Sequence, residues 1–298
     1  MNRRTLLTTT AVGAIAATTA DSSAARPRRD DRVTTRDGTT LHCEVWGDGE
    51  PIVFVHSWAL ESAMWQYQIA GLAPHGFRCI TYDRRGHGRS RRPPHGYDMD
   101  TLAEDLGSVL DGFDVTDATL VGHSMGCAEI VRYLTRHRSR RVARIVLLAP
   151  TTPCLKQLPD NPDGVPARTF VAVRDLWRAD FPKWIVDNTP PFFSKDTSPA
   201  MQSWGIAMLQ RTSLPVAIAC NETLVDADFR GELPAISTPS LVIHGTVDVS
   251  APLAFTGART AKLLPNARLE VYDGAPHGLF VTHAARVNED ILRFVRQP

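Results

Sequence analysis

The pentapeptide Gly122-His123-Ser124-Met125-Gly126 fits the pattern G-x-S-x-G, and its surroundings give the pattern chemical meaning. It follows the apolar run Ala118-Thr119-Leu120-Val121 and precedes a stretch with helical spacing, so a strand must turn sharply into a helix at the serine. Small flanking residues let the backbone take that strained turn and push the hydroxyl outward. Ser124 then stands at a helix N-terminus, where free N–H groups and the helix dipole favour developing negative charge.

A serine hydroxyl is a poor nucleophile until a neighbouring base takes its proton, so the sequence must also hold a histidine and a group that orients it. Ten histidines compete. His277 lies in Asp273-Gly274-Ala275-Pro276-His277-Gly278, a loop after the last apolar run and before the last helical pattern. That position is the carboxyl edge of a parallel sheet, where open α/β folds bind ligands. The run Leu241-Val242-Ile243-His244-Gly245-Thr246-Val247-Asp248 puts a carboxylate just past the preceding strand, and Asp248 completes the chain order Ser, Asp, His. Asp226 and Asp228 lie in an irregular stretch and read as solvated surface carboxylates.

An oxyanion needs preorganised donors, one from the residue after the nucleophile and one from the loop after an earlier strand. Met125 supplies the first N–H. Ile52-Val53-Phe54-Val55-His56-Ser57-Trp58 ends a strand in the right place, and Trp58 is nominated for the second.

The elements that must position these groups follow from the apolar pattern. Residues 32–36 and 40–46 alternate around Asp37-Gly38, which predicts a β-hairpin. Short apolar runs at 52–55, 77–82, 119–121, 142–149, 240–243 and 269–272 suit strands buried on both faces. Helical spacing at 99–112, 127–137, 253–264 and 284–295 falls between or after them, giving an α/β domain. The alternation fails between Pro150 and Pro234, where Pro and aromatics such as Phe170, Trp177, Phe181, Trp184, Phe192, Phe193 and Trp204 collect. Residues 151–233 are therefore expected to form a helical cap over a core built from 32–150 and 234–298.

At 298 residues, 43% hydrophobic and 22% charged, the chain can bury a full core. Its 33 Lys and Arg balance 32 Asp and Glu, so no net field steers it toward nucleic acid or an anionic membrane. The expected partner is a small, uncharged acyl compound; the sequence sets no oligomeric state. Cys43, Cys79, Cys127, Cys154 and Cys220 show no metal-ligand spacing, and no G-x-G-x-x-G stands in a nucleotide-binding context, so no metal, nucleotide or flavin cofactor is expected. Residues 1–25 carry Arg3-Arg4, a weakly apolar run and the small residues Ser23-Ala24-Ala25, the order of an export signal. The run is too short and Thr-rich for a membrane span. The paired arginines resemble a twin-arginine signal, which would place the product outside the cytoplasm. Residues 26–31 read as a charged linker.

Across about residues 40 to 296 the chain resembles the α/β-hydrolase family, and more narrowly its cofactor-free haloperoxidase and aryl-esterase branch. The likeness rests on His56-Ser57-Trp58, Tyr82-Asp83-Arg84-Arg85-Gly86-His87-Gly88-Arg89-Ser90, Gly122 to Gly126, His244 to Asp248 and Ala275-Pro276-His277. It implies an eight-stranded, mostly parallel sheet with a helical cap and the same Ser124, Asp248, His277 set. It also implies ester hydrolysis, with peroxide replacing water in some members to give a peracid that oxidises halide. Where the family usually has His-Gly-aromatic-Pro, this chain has Ser57 and Ala59, so a reshaped oxyanion loop is expected. The stretch from Asp83 to Ser90 reads as a turn-rich support, with Arg84 and Arg85 solvated or structural. A serine ester hydrolase is the leading expectation, with a peroxide-using haloperoxidase and a non-enzymatic binding protein as the rivals.

Overall fold

The computed structural model describes residues 31–137 and 141–296. The expected leader at 1–25 and most of the linker at 26–31 lie outside the described residues.

Strands β1 (Arg32–Thr34) and β2 (Thr40–Trp46) form the hairpin. Asp37 holds its turn by accepting from the Thr35 hydroxyl at 2.6 Å and the Thr39 N–H at 3.0 Å, while Gly38 takes a φ of 82°. The remaining strands are β3 (Glu50–Val55), β4 (Phe77–Tyr82), β5 (Ala118–His123), β6 (Val142–Leu148), β7 (Ser240–Gly245) and β8 (Ala267–Tyr272). They join in one sheet of order β1-β2-β4-β3-β5-β6-β7-β8, antiparallel only at the two pairings that β2 makes.

Helices cover both faces, and this explains why the strands read as continuous apolar runs rather than alternating ones. Val53 and Val55 point to a core shared with α2 (Met99–Gly112) and α3 (Met125–His137). Their neighbours Ile52 and Phe54 point the other way, to a core shared with α1 (Gln66–Leu72) and α9 (Ala284–Val295). The same division runs through Leu120 and Val121, Leu147 and Val146, and Val242 and Ile243. Asp98 caps α2 by accepting from the Thr101 N–H at 2.9 Å.

Between β6 and β7 the chain builds α4 (Ala167–Asn188), α5 (Pro199–Arg211) and α6 (Leu214–Asp226). Helix α4 breaks at Asp180, whose φ of −159° and ψ of 85° precede Pro182 by two residues. Trp177, Phe181, Ile185 and Ala217 form a separate apolar cluster beneath these helices, and Trp58 packs against it. Helices α7 (Gly257–Leu263) and α8 (Leu279–Thr282) complete the chain, α7 starting four residues later than the pattern from 253 suggested because residues 253–256 form turns. Among the described residues no helix is long and apolar enough to cross a membrane.

Candidate active site

Ser124 occupies the single residue between β5 and α3, with a φ of 55° that side chains other than glycine seldom take. Its N–H donates to the Leu148 carbonyl at 2.9 Å, tying the turn to the end of β6. The motif's glycines are demanded by close approach. A Cβ at Gly126 would lie 2.2 Å from the Val55 carbonyl oxygen, and one at Gly122 would lie 2.8 Å from the Gly126 carbonyl carbon.

Asp248 follows β7 and His277 follows β8, so adjacent strands deliver both loops to the same sheet edge. His277 Nδ1 stands 2.7 Å from Asp248 Oδ2. The other carboxylate oxygen accepts from the N–H groups of Ser250 and Ala251 at 2.9 and 2.8 Å. Burial alone would raise the Asp248 pKa; the His277 charge and the hydrogen bonds from His244, His277 and Ala251 overcome it and hold the carboxyl well below the usual carboxylate range.

Two histidines that sequence reasoning did not nominate complete this corner. His244 Nε2 lies 2.7 Å from the Ala251 carbonyl oxygen and 3.1 Å from Asp248 Oδ2; both are acceptors, so Nε2 carries the proton and His244 supports Asp248 from behind. His123 Nε2 donates to the His277 carbonyl at 2.8 Å, and their rings are 4.8 Å apart, which joins the residue before Ser124 to the base's loop. Burial pushes His123 down to about 3, so it serves as a neutral donor. Both residues sit inside motifs whose neighbours drew attention first. Their only sequence signal is position, His123 directly before the serine and His244 next to last in an apolar strand.

Met125 is the first residue of α3, so its N–H has no acceptor within the helix. Trp58 follows β3; among the described residues its N–H finds no protein acceptor. Its indole Nε1 donates to the Ala217 carbonyl at 2.8 Å, and its ring stacks on Trp177 at 4.8 Å, so one residue joins the strand edge to the inserted helices. Phe192 of the insertion lies 5.6 Å from the His277 ring, and its carbonyl accepts from the Gly278 N–H at 2.9 Å.

The loop after β3 departs from expectation in an informative way. Ser57 stays outside the left-handed region, and its N–H reaches Met64 Sδ at 3.4 Å. The left-handed residue is Ala59, with a φ of 56°, an angle that no proline can adopt. Position 59 therefore accommodates alanine and excludes proline.

Arg84 and Arg85 are each 1% exposed, which removes the solvated alternative and leaves the structural one. Arg85 forks onto Asp105 with two bonds of 2.6 Å and reaches Asp37 at 2.7 Å. Asp226 and Asp228 remain exposed, paired with Lys156 and Arg230, and are not brought to the site. Among the described residues no group of His, Cys, Asp and Glu could hold a metal ion. All five cysteines are free and buried.

A family profile described as alpha/beta hydrolase fold matches residues 50–284. The chain belongs to the alpha/beta hydrolase family. It is 37% identical to a non-heme chloroperoxidase, CPO-A1, of Kitasatospora aureofaciens over 89% of this chain and 98% of that one. It is 33% identical to a bifunctional esterase/perhydrolase of Acinetobacter calcoaceticus over 89% and 99%. The bromoperoxidase structure from Bacillus anthracis superposes with a TM-score of 0.86 at 30% identity, covering 89% of this chain and 99% of that one. Like these relatives, this alpha/beta hydrolase is an enzyme, and its eight-stranded sheet presents Ser124, Asp248 and His277 at one edge.

Proposed function

We propose that this alpha/beta hydrolase cleaves small, uncharged carboxylic esters through Ser124, His277 and Asp248. The observation that carries this reading is the 2.7 Å contact between His277 Nδ1 and Asp248 Oδ2, which leaves the far ring nitrogen to serve Ser124. Ser124 attacks the substrate carbonyl as His277 takes its proton, and Asp248 stabilises the imidazolium. The N–H groups of Trp58 and Met125 receive the oxyanion. His277 returns the proton to the departing alcohol. Water, activated by the same histidine, then releases the acid and restores Ser124.

Perhydrolysis is supported equally by the relatives' names, chloroperoxidase and esterase/perhydrolase. In that branch hydrogen peroxide attacks the acyl-enzyme carbonyl, His277 accepts the peroxide proton and passes it to Ser124, and a peracid leaves. The peracid's terminal oxygen then goes to bromide, giving hypobromous acid and the carboxylate. The inserted helices from residues 151 to 233 act as the cap that selects the acyl compound, and residues 1–25 direct export of the folded enzyme.

The test is turnover of p-nitrophenyl acetate in water beside bromination of a dye with acetate, peroxide and bromide. Brisk hydrolysis that Ser124→Ala abolishes supports the esterase reading. Unchanged hydrolysis by Ser124→Ala overturns it, and bromination faster than hydrolysis gives the second reading precedence.

A further inference from the structure

Arg84 is one of two fully buried arginines among the described residues. It is buried together with Glu129, at 1% and 0% exposure, and its Nε donates to Glu129 Oε1 at 2.7 Å. An ion pair taken wholly out of water is a poor source of stability, because desolvation offsets the attraction. What the guanidinium does with its other donors is more telling. Nη2 donates to the His56 carbonyl at 2.6 Å and Nη1 to the Ser57 carbonyl at 3.2 Å.

The Ser57 carbonyl and the Trp58 N–H are opposite ends of one peptide plane. In a trans peptide the two point in opposite directions, so whatever fixes the oxygen also aims the N–H. A second donor converges on that oxygen: His56 Nδ1 lies 2.8 Å from it. His56 Nε2 accepts the Arg84 backbone N–H at 2.9 Å, which places the imidazole proton on Nδ1. Two buried donors therefore hold the back of the plane. By withdrawing charge from the carbonyl they also strengthen its N–H as a donor. Glu129 lies on α3, the helix that begins with Met125, so the same guanidinium refers the β3 loop to the element carrying the other nominated donor.

We propose that Arg84, anchored by Glu129, is a positioning residue that aims the Trp58 N–H at the developing oxyanion; this rests on the esterase reading above. The loop carries Ser57 and Ala59, and Ala59 stands in the left-handed region. A clamp on the Ser57 carbonyl is how such a loop keeps one orientation.

The experiment compares Arg84→Lys, Glu129→Gln and the double variant Arg84→Met/Glu129→Leu with the wild-type enzyme on p-nitrophenyl acetate. Lysine keeps the charge facing Glu129, but a single ammonium cannot span two carbonyls as the planar fork does. The double variant removes both charges together and leaves none unpaired. For folded Arg84→Lys and the double variant, kcat is expected to fall about tenfold to a hundredfold with KM within about twofold, as for an interaction made in the transition state. Affinity for phenylboronic acid, whose tetrahedral serine adduct also fills the oxyanion site, should fall in proportion, and the midpoint of the pH–rate profile should stay where it is. Wild-type kcat in these folded variants, a loss confined to KM, or a fall in kcat with unchanged boronate affinity overturns the proposal. If only Glu129→Gln folds, the same readings apply to it, with a smaller loss because it keeps the hydrogen bond to Nε. Ser124→Ala is run alongside. Should it retain activity, the esterase reading fails and the clamp with it; should it be inert while Arg84→Lys runs at full kcat, the clamp alone fails.

Discussion

Asp248 offers one carboxylate oxygen to two histidines, His277 at 2.7 Å and His244 at 3.1 Å, while its second oxygen accepts two backbone N–H groups. An amide at this position keeps the shape but presents an NH2 to one set of donors. Asp248→Asn is therefore expected to lower kcat about a thousandfold or more, as the base loses its tautomer and its counter-charge. Steady-state kinetics on p-nitrophenyl acetate check this, with near-normal rates counting against it.

Gly126 admits no side chain where it passes β3, since the added Cβ would meet the Val55 carbonyl oxygen at 2.2 Å. Both partners are backbone at the junction of strand and helix, so neither yields by a rotamer change. Gly126→Ala should cost about 3 kcal/mol of stability, the range of strained overpacking, and should displace Ser124 enough to reduce activity. Urea unfolding followed by circular dichroism measures the cost.

Trp177 is 2% exposed and touches Trp58, Phe181 and Trp184, while its indole Nε1 has no partner among the described residues. Trp177→Ala opens a cavity under the inserted helices, and about 3 kcal/mol or more should be lost, with KM rising as Trp58 loosens. Trp177→Phe keeps a ring and removes the orphaned donor, so its cost should stay below about 1.5 kcal/mol. Thermal unfolding of both variants compares them; equal losses would contradict this account.

Acid should unfold the protein over a defined window. Burial holds His87 and His123 down to about 3 and, with the Arg84 charge, His56 well below its ordinary value of 6.5. Each stays neutral in the fold but binds a proton in the unfolded chain, so its contribution is complete above pH 6.5 and is lost as pH falls, down to about 3 for His87 and His123. Glu129, raised by burial to about 7, and Asp105, also raised by burial, work in the opposite sense. The depressed Asp37 and Asp248 carboxyls add to the loss below about pH 5, so the direction of the acid effect is destabilising. Urea midpoints measured from pH 7 to 4 should fall accordingly, and less steeply for His87→Gln; a flat series would contradict the assignment.

Strands and loops were legible in the sequence because a sheet covered on both faces leaves runs such as Ile52 to Val55 with no polar position. Ser124, Asp248 and His277 were legible because each follows such a run at the carboxyl edge. Arg84 and Arg85 were harder, since an arginine's burial depends on partners far along the chain, here Glu129 and Asp105. His123 and His244 hide for a similar reason: what makes them useful is a distant carbonyl or a carboxylate across a turn, and spacing does not record it. In the loop after β3 the sequence drew notice to Ser57, whereas the left-handed residue is Ala59, because local backbone angles follow the whole loop's path and not one residue.

The sealed cysteines have a consequence for where this enzyme can survive. Burial pushes the Cys43, Cys79 and Cys220 thiols up to about 12, so near pH 7 only about one molecule in 100,000 carries a thiolate at any one of them. Disulfide exchange and peroxide oxidation both start from thiolate, so these three thiols react slowly in either while the chain is folded. Once the chain has folded, it can therefore meet an oxidant with these three thiols largely unchanged.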